Sequence, residues 1–186
     1  MLPTVYSLEE PDTYDRCAAV SAWRPAAVLS RRTAAWLYGW LPEPTVVEAT
    51  IPRGHRVTPP DWLRLYRRDL APHSVSTVTL LPAVSPAQAL FDCAVVMPER
   101  DVASLVDAEL NRSVEPDEFR DLCLTHRGRH GTPTAQRLLR HASLRGVGTR
   151  ARTRPRAQPS RIRTRAQPAD EIIAAVRKRR RSRRPK

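Results

Sequence analysis

The spacing of apolar residues predicts two helices at the start of the chain. Over residues 11–23, Tyr14 and Ala18 fall on one face at the 3.6-residue spacing of a helix. A shorter helix is expected to begin at Ser30, a residue type that caps helix N-termini, and to end at Gly39. Because a short connection joins the two, we predict a helical hairpin.

A period of two and β-branched side chains indicate strands in the middle of the chain. Residues 45–51 (TVVEATI) lie between two prolines, and residues 62–67 alternate leucine with arginine and tyrosine. Residues 75–81 are a third candidate strand and residues 83–84 a short fourth. We therefore predict a small sheet of three to four strands.

The spacing returns to a helical period in the second half of the body. Ser85 is a good cap, Pro86 suits the first helical position and Gln88 follows three residues after the cap. Apolar stripes predict three more helices, over residues 99–111, over residues 115–124 and from Thr132 or Thr134. The expected fold is α+β, a three- to four-stranded sheet packed with about five helices.

Charge divides the chain of 186 residues, whose net charge is +13, into two unequal parts. Residues 1–145 contain 17 arginines and 17 acidic residues, so this body is neutral overall. Residues 146–186 contain 15 basic and two acidic residues and no Phe, Trp, Tyr, Leu or Met. A segment so poor in large apolar groups is expected to be a disordered basic tail, with a short, marginal helix over residues 170–181.

Composition also argues against membrane and secreted proteins. No apolar stretch approaches the roughly 20 residues of a membrane span. The N-terminus is acidic and lacks the charged and then apolar pattern of a signal peptide. Three cysteines without a C-x-x-C motif suit a reducing compartment, so we predict a cytoplasmic protein without a membrane partner.

One cysteine and two histidines have a spacing that superficially resembles a metal site. Cys123, His126 and His130 follow the pattern C-x2-H-x3-H, but a structural zinc needs a fourth ligand. His141 or Cys93 would have to supply it. The alternative, which we favour, is a buried cysteine followed by a solvated loop, so no metal is predicted.

No arrangement typical of a catalytic site stands out. Asp92 lies beside the apolar stripe of its helix, where it could be a perturbed acid or base or could pair with an arginine. The usual nucleophile and phosphate-loop motifs are absent, and the chain has six glycines. We predict neither an enzyme nor a cofactor. The four tryptophans could stack on bases but more often belong to a core; they are Trp23, Trp36, Trp40 and Trp62.

The tail is the feature with the most direct physical partner. A flexible cationic chain attracts nucleic acid through counterion release and reads phosphates rather than bases. An anionic membrane surface is a weaker alternative, and a tail without a selected role is a third. The candidate nucleic-acid contacts in the tail are Arg177, Lys178, Arg179, Arg180 and Arg181.

Short motifs, in order along residues 3–143, resemble those of AbiEi-type antitoxins, which are common in actinobacteria. Residues 27–39 (AVLSRRTAAWLYG) resemble the signature VLSHxTAAxLYG. The next three resemble VEVTVP, VHRRxL and LPVTSPARTLLDLA; they are residues 46–52 (VVEATIP), 65–70 (LYRRDL) and 81–94 (LPAVSPAQALFDCA). Residues 102–111 are similar to the ALDEAL helix, and residues 127–139 to the Arg/Gly turn and final helix that follow it.

This resemblance implies a non-catalytic antitoxin that neutralises a nucleotidyltransferase-type toxin and represses the operon that the two share. Members usually begin with a winged-helix DNA-binding block, and many end in a Vsr-like endonuclease domain. We expect this chain to lack both. It also departs from the family at Arg31, where histidine is usual, and at Gln88, where arginine is usual.

The sequence thus predicts an antitoxin-like core over residues 1–145, with nonspecific nucleic-acid binding through the tail over residues 146–186. Further candidate contacts are two arginine pairs on the body, although each arginine could also be an ordinary surface charge; they are Arg31 and Arg32, and Arg67 and Arg68. Two alternatives stay open. The chain could be an inactive, truncated relative of Vsr-like endonucleases, or a protein that its tail tethers to nucleic acid while its body serves another purpose.

Overall fold

The fold is known from a computed structural model that describes residues 10–54, 57–110, 112–128 and 131–146. Within these ranges the chain forms five strands and six α-helices. The strands are β1 (Val28–Leu29), β2 (Val47–Ile51), β3 (Leu63–Arg67), β4 (Val75–Val78) and β5 (Leu81–Val84). The helices are α1 (Thr13–Trp23), α2 (Arg31–Leu37), α3 (Pro86–Val96), α4 (Glu99–Glu109), α5 (Pro116–Thr125) and α6 (Thr132–Gly146). The tail beyond residue 146, with its expected helix over residues 170–181, lies outside the described residues.

The strands form one mixed sheet in the order β3-β2-β1-β5-β4. Its central strand β1 pairs antiparallel with β2, where Val28 lies opposite Thr50, and parallel with β5, where Leu29 lies opposite Ala83. The α+β class is therefore confirmed, but the sheet has five strands among the described residues rather than three to four. The helical hairpin was also wrong, because β1 separates α1 from α2.

Strand β1 was missed for a physical reason. It is two residues long, so it has no alternating pattern of its own. Its extended conformation comes from the strands that pair with it on both sides, and Leu29 is fully buried there. Tertiary pairing of this kind commonly overrides local preference.

The third and fourth predicted strands, residues 75–81 and 83–84, together form a hairpin, and its turn lies within the predicted third strand. Strands β4 and β5 pair antiparallel around Thr79 and Leu80, whose φ angles are 49° and 70°. A tight hairpin of this kind usually signals itself with Asn-Gly or Asp-Gly, and neither is present. The hydroxyl of Tyr14 donates to the carbonyl oxygen of Thr79 at 2.6 Å and so ties the turn to α1.

Two apolar cores stabilise the fold. Between α1 and the sheet, the first core contains Cys17, Val20, Leu29, Ala49 and Ala83. The second joins α3 to a helical layer of α4, α5 and α6, and it includes Phe91, Val102, Phe119, Ala135 and Leu138. No helix among the described residues combines the length and the apolarity that crossing a membrane requires.

Candidate functional site

One face of the sheet carries polar residues although helices cover it. Side chains alternate along a strand, so Glu48 and Thr50 of β2 share a face with Tyr66 of β3. Residues of the α2 start and of α3 hydrogen-bond to this face. We call the group the polar layer. Its members are Ser30, Arg31, Arg32, Thr33, Glu48, Thr50, Tyr66, Arg68, Gln88 and Asp92.

Glu48 organises one half of the polar layer. Its side chain is only 8% exposed, and the hydroxyl of Tyr66 donates to its Oε1 at 2.7 Å. The backbone N–H of Arg32 donates to its Oε2 at 3.1 Å, while the backbone N–H of Glu48 donates to Oγ1 of Thr33 at 2.8 Å. The carboxylate thereby satisfies an N–H group in the first turn of α2, which is the role of a capping side chain.

Ser30 stands at the predicted N-cap position of α2, but its side chain does not cap the helix. Its hydroxyl oxygen instead accepts a hydrogen bond from the Thr50 hydroxyl at 3.0 Å. The capping prediction is therefore right about position and wrong about chemistry. Ser85 does cap α3 as predicted, because its hydroxyl oxygen accepts from the backbone N–H of Gln88 at 3.4 Å.

Arg31 has an uncommon backbone and a planar partner. Its φ of 55° lies in the left-handed region, which costs a residue other than glycine about 1–3 kcal/mol. Its guanidinium carbon lies 3.5 Å from the centre of the Tyr66 ring. Burial, followed by the hydrogen bond to Glu48 and its charge, raises the pKa of Tyr66, whereas Arg31 and Arg64 act to lower it.

Asp92 organises the other half of the polar layer. Its Oδ1 accepts from Nη1 of Arg68 at 2.9 Å and its Oδ2 from Nη2 at 2.8 Å, a bidentate ion pair. The Gln88 amide donates to the same Oδ1 at 2.8 Å. Since Asp92 is 5% exposed and Arg68 is 23% exposed, the pair is largely shielded from water. Of the two interpretations of Asp92, the structure shows the one in which it pairs with an arginine.

The thiol of Cys93 lies close enough to both halves of the polar layer to be affected by the charges of each. Burial raises its pKa to about 12, and the charges of Asp92 and Glu48 add to this effect. The charges of Arg31 and Arg32 act in the opposite direction on the same thiol. One buried group on α3 therefore experiences both carboxylates and both arginines.

Two residues of the C-x2-H-x3-H pattern, Cys123 and His126, lie within the described part of the chain. Cys123 is 2% exposed within the core of the helical layer, and burial raises its pKa to about 11. The ring of His126 stacks on that of Phe91 at 5.2 Å. His130 lies outside the described residues. The part of the chain that the structure describes holds no group of three residues suited to bind a metal ion.

The four tryptophans are half-buried and pack against the core beneath the sheet. Two of them also contact arginines. The guanidinium carbon of Arg24 lies 4.9 Å from the ring centre of Trp23, and that of Arg16 lies 5.9 Å from the ring centre of Trp62. Each tryptophan therefore packs against the core without being one of its fully buried residues.

The predicted nucleic-acid contacts on the body do not form one cluster. Arg31 and Arg32 lie together at the start of α2, whereas Arg68 is held in its ion pair with Asp92. Arg67 is exposed and, by strand alternation, faces the other side of β3. Sequence reasoning missed Arg64, which shares the face of Tyr66; the alternation of residues 62–67 was its only signal. The five basic residues of the tail, from Arg177 to Arg181, lie outside the described residues.

Comparisons with known proteins give a likeness of fold. No protein-family model matches the chain, and no curated protein matches it. The structure is similar to the crystal structure of the RV2827C protein from Mycobacterium tuberculosis, with a TM-score of 0.51 and 18% sequence identity. The match covers 70% of this chain and 54% of that one, so this chain spans about half of its length. At this identity the likeness concerns the fold alone.

Proposed function

We propose that the protein is a non-catalytic, antitoxin-like partner of a nucleotidyltransferase-type toxin. The proposal rests on where the residues of the polar layer lie in the sequence. Residues 27–39, 46–52, 65–70 and 81–94, the motifs that resemble the AbiEi-type family, together supply all of its members. Motifs that are scattered along the sequence thus meet on one face of the sheet, in hydrogen-bonded groups around Glu48 and Asp92.

The chemistry of the polar layer supports a binding role over a catalytic one. Within the described residues, Glu48 and Asp92 each accept at least two hydrogen bonds from protein donors. A carboxylate whose lone pairs are occupied in this way is a poor general base. The raised pKa of Tyr66 also keeps its hydroxyl protonated, so that it remains a donor to Glu48 near neutral pH.

The toxin partnership is tested by rescue of growth. The full chain is coexpressed with a nucleotidyltransferase-type protein encoded next to it, after that protein alone has been shown to arrest growth. We expect restored growth with the natural chain and with the control variant Arg137→Gln, which alters an exposed ion pair of the helical layer. Continued arrest, with both proteins present in the cell, would refute the antitoxin proposal.

The second part of the proposal is nonspecific nucleic-acid binding through the basic tail. Fluorescence anisotropy compares two duplexes, one from the region upstream of the gene and one with the same bases shuffled, over a series of salt concentrations. Equal affinity is expected, because tail cations contact phosphates rather than bases. Replacing the five residues from Arg177 to Arg181 by glutamine should reduce the salt slope by about 4.5 units. Preference for the upstream duplex would contradict this part of the proposal.

A further inference from the structure

The arginines of the body differ in whether they have an acidic partner. In the helical layer, four arginines form ion pairs with neighbouring carboxylates; they are Arg100, Arg112, Arg120 and Arg137. Arg31, Arg32 and Arg64, near Tyr66, form no ion pair with any described carboxylate. Surface arginines that are left unpaired next to one another repel, so their grouping needs an explanation.

The acidic residue nearest to this group does not neutralise it. Glu48 is 8% exposed and already accepts hydrogen bonds from the Tyr66 hydroxyl and the Arg32 backbone. The pKa of Tyr66 shows that Arg31 and Arg64 are both close to the phenol, since both act to lower it. Two guanidinium groups, those of Arg31 and Arg64, therefore lie beside one ring, against a single carboxylate that is turned inward, and Arg32 follows Arg31 at the start of α2.

The stacking of Arg31 on Tyr66 fixes the direction of its donors. A guanidinium that lies flat on a ring keeps its five N–H groups in a plane parallel to that ring. Tyr66 is held in turn by Glu48, so the plane is positioned before any ligand arrives. No second aromatic ring among the described residues covers the other face of the Arg31 guanidinium.

We propose that Arg31, Arg32, Arg64 and Tyr66 form a binding surface for single-stranded nucleic acid on the folded body. Arg32 and Arg64 contact phosphates, and an unpaired base stacks on the outer face of the Arg31 guanidinium. An acidic protein segment could use the charges but not the planar face, so the stacked arginine favours nucleic acid. The inference rests on the nucleic-acid part of the proposed function and is independent of the toxin.

The test uses the full chain and a fluorescein-labelled 20-nucleotide oligo(dT). The double variant Arg31→Gln/Arg64→Gln should bind about tenfold more weakly, with a salt slope reduced by about 0.7 units for the one phosphate contact that Arg64 makes. The matched control is Arg127→Gln/Arg140→Gln, which removes the same charge from two exposed arginines that form no ion pair with described residues. Its affinity should change less than about twofold. Equal weakening by both double variants would refute a localised surface.

A second variant separates stacking from charge. Arg31→Lys keeps the charge but loses the plane, so it should weaken oligo(dT) binding about threefold and leave duplex binding unchanged. Unchanged oligo(dT) binding by this variant would overturn the stacking role. Competition by polyglutamate as strong as that by unlabelled oligo(dT) would show that the surface binds acidic protein instead. Melting curves of each variant verify that it is folded.

The tail proposal fails or succeeds separately. In the variant with glutamine from Arg177 to Arg181, overall affinity falls, but the tenfold ratio between the two double variants should persist. If the ratio disappears, the body surface is refuted while the tail proposal stands. If the substitutions in the tail have no effect on affinity and the tenfold ratio remains, the tail proposal is refuted while the body surface stands.

Discussion

The polar layer and the helical layer differ in how they distribute their charges between the interior and the surface of the protein. In the helical layer the interior is mainly apolar, and most of its ion pairs lie at the surface, as Arg137 with Glu99 shows; the exception is Glu109, which is 7% exposed and pairs with the exposed Arg112. In the polar layer, Glu48 and Asp92 are buried, and arginines without an acidic partner among the described residues lie outside. Burial of a carboxylate costs free energy unless donors surround it. We infer that the helical layer supplies stability, whereas the polar layer fixes the geometry of a binding surface.

The largest effect on the free energy of unfolding is expected in the apolar core of the helical layer. Phe119 is fully buried and its ring meets that of Phe91 edge-on at 6.2 Å. Phe119→Ala should lower the free energy of unfolding by about 4 kcal/mol, because it leaves a cavity in a packed core. Leu124→Ala, on the same helix but 57% exposed, should have little effect. Urea denaturation measures both, and similar losses would mean that the core of this layer is not closely packed.

The next effect tests the buried ion pair. Arg68→Met removes one partner and leaves Asp92 buried with only Gln88 as a donor. The expected loss of unfolding free energy is about 3 kcal/mol. Arg137→Met, at the exposed pair with Glu99, should leave the urea midpoint unchanged within error. A small loss for Arg68→Met would show that Asp92 takes up a proton or gains water instead.

A pH series sharpens the comparison at the junction of the two layers. In the folded protein the pKa of Cys93 is about 12, whereas an unfolded thiol titrates near pH 8.5. Between these values the unfolded chain loses the proton and the folded protein keeps it, so stability falls as the pH rises. Cys93 should contribute about 2 kcal/mol to the loss between pH 7 and pH 10. The same titration of Cys93→Ala, under reducing conditions, should show a correspondingly smaller loss; an identical loss would place the pH dependence elsewhere.

The smallest effect on the free energy of unfolding is expected from the strained backbone of the β4–β5 turn, which belongs to neither layer. Thr79 and Leu80 occupy the left-handed region in the β4–β5 turn, which Asn and Gly tolerate better. Thr79→Asn/Leu80→Gly should raise the free energy of unfolding by about 1 kcal/mol. Thermal melting detects this change, and Leu80→Ala serves as the control that removes the exposed side chain without relieving the backbone. No gain over that control would mean that the turn is unstrained.

Local patterns predicted most elements but not the site. The start of α3 follows from its capping residues, and the strand β2 follows from a β-branched run. Both signals act within a few residues of the chain. The polar layer could not be derived in this way, because its bonds join positions that only the sheet brings together, such as Arg68 and Asp92. The alternation along β3 and the strand β2 were both visible in the sequence, but the pairing that places Tyr66 beside Glu48 was not.

The position of β1 in the sheet has a consequence for biosynthesis. This strand leaves the ribosome before either of its partners, one of which lies at Thr50 and the other only at Ala83. Pairings of such sequence separation form slowly, because the intervening chain must first be closed into a loop. Until β5 has been translated, the centre of the sheet exposes unpaired backbone on one side, and the nascent chain is most open to misassembly or to chaperones during that interval.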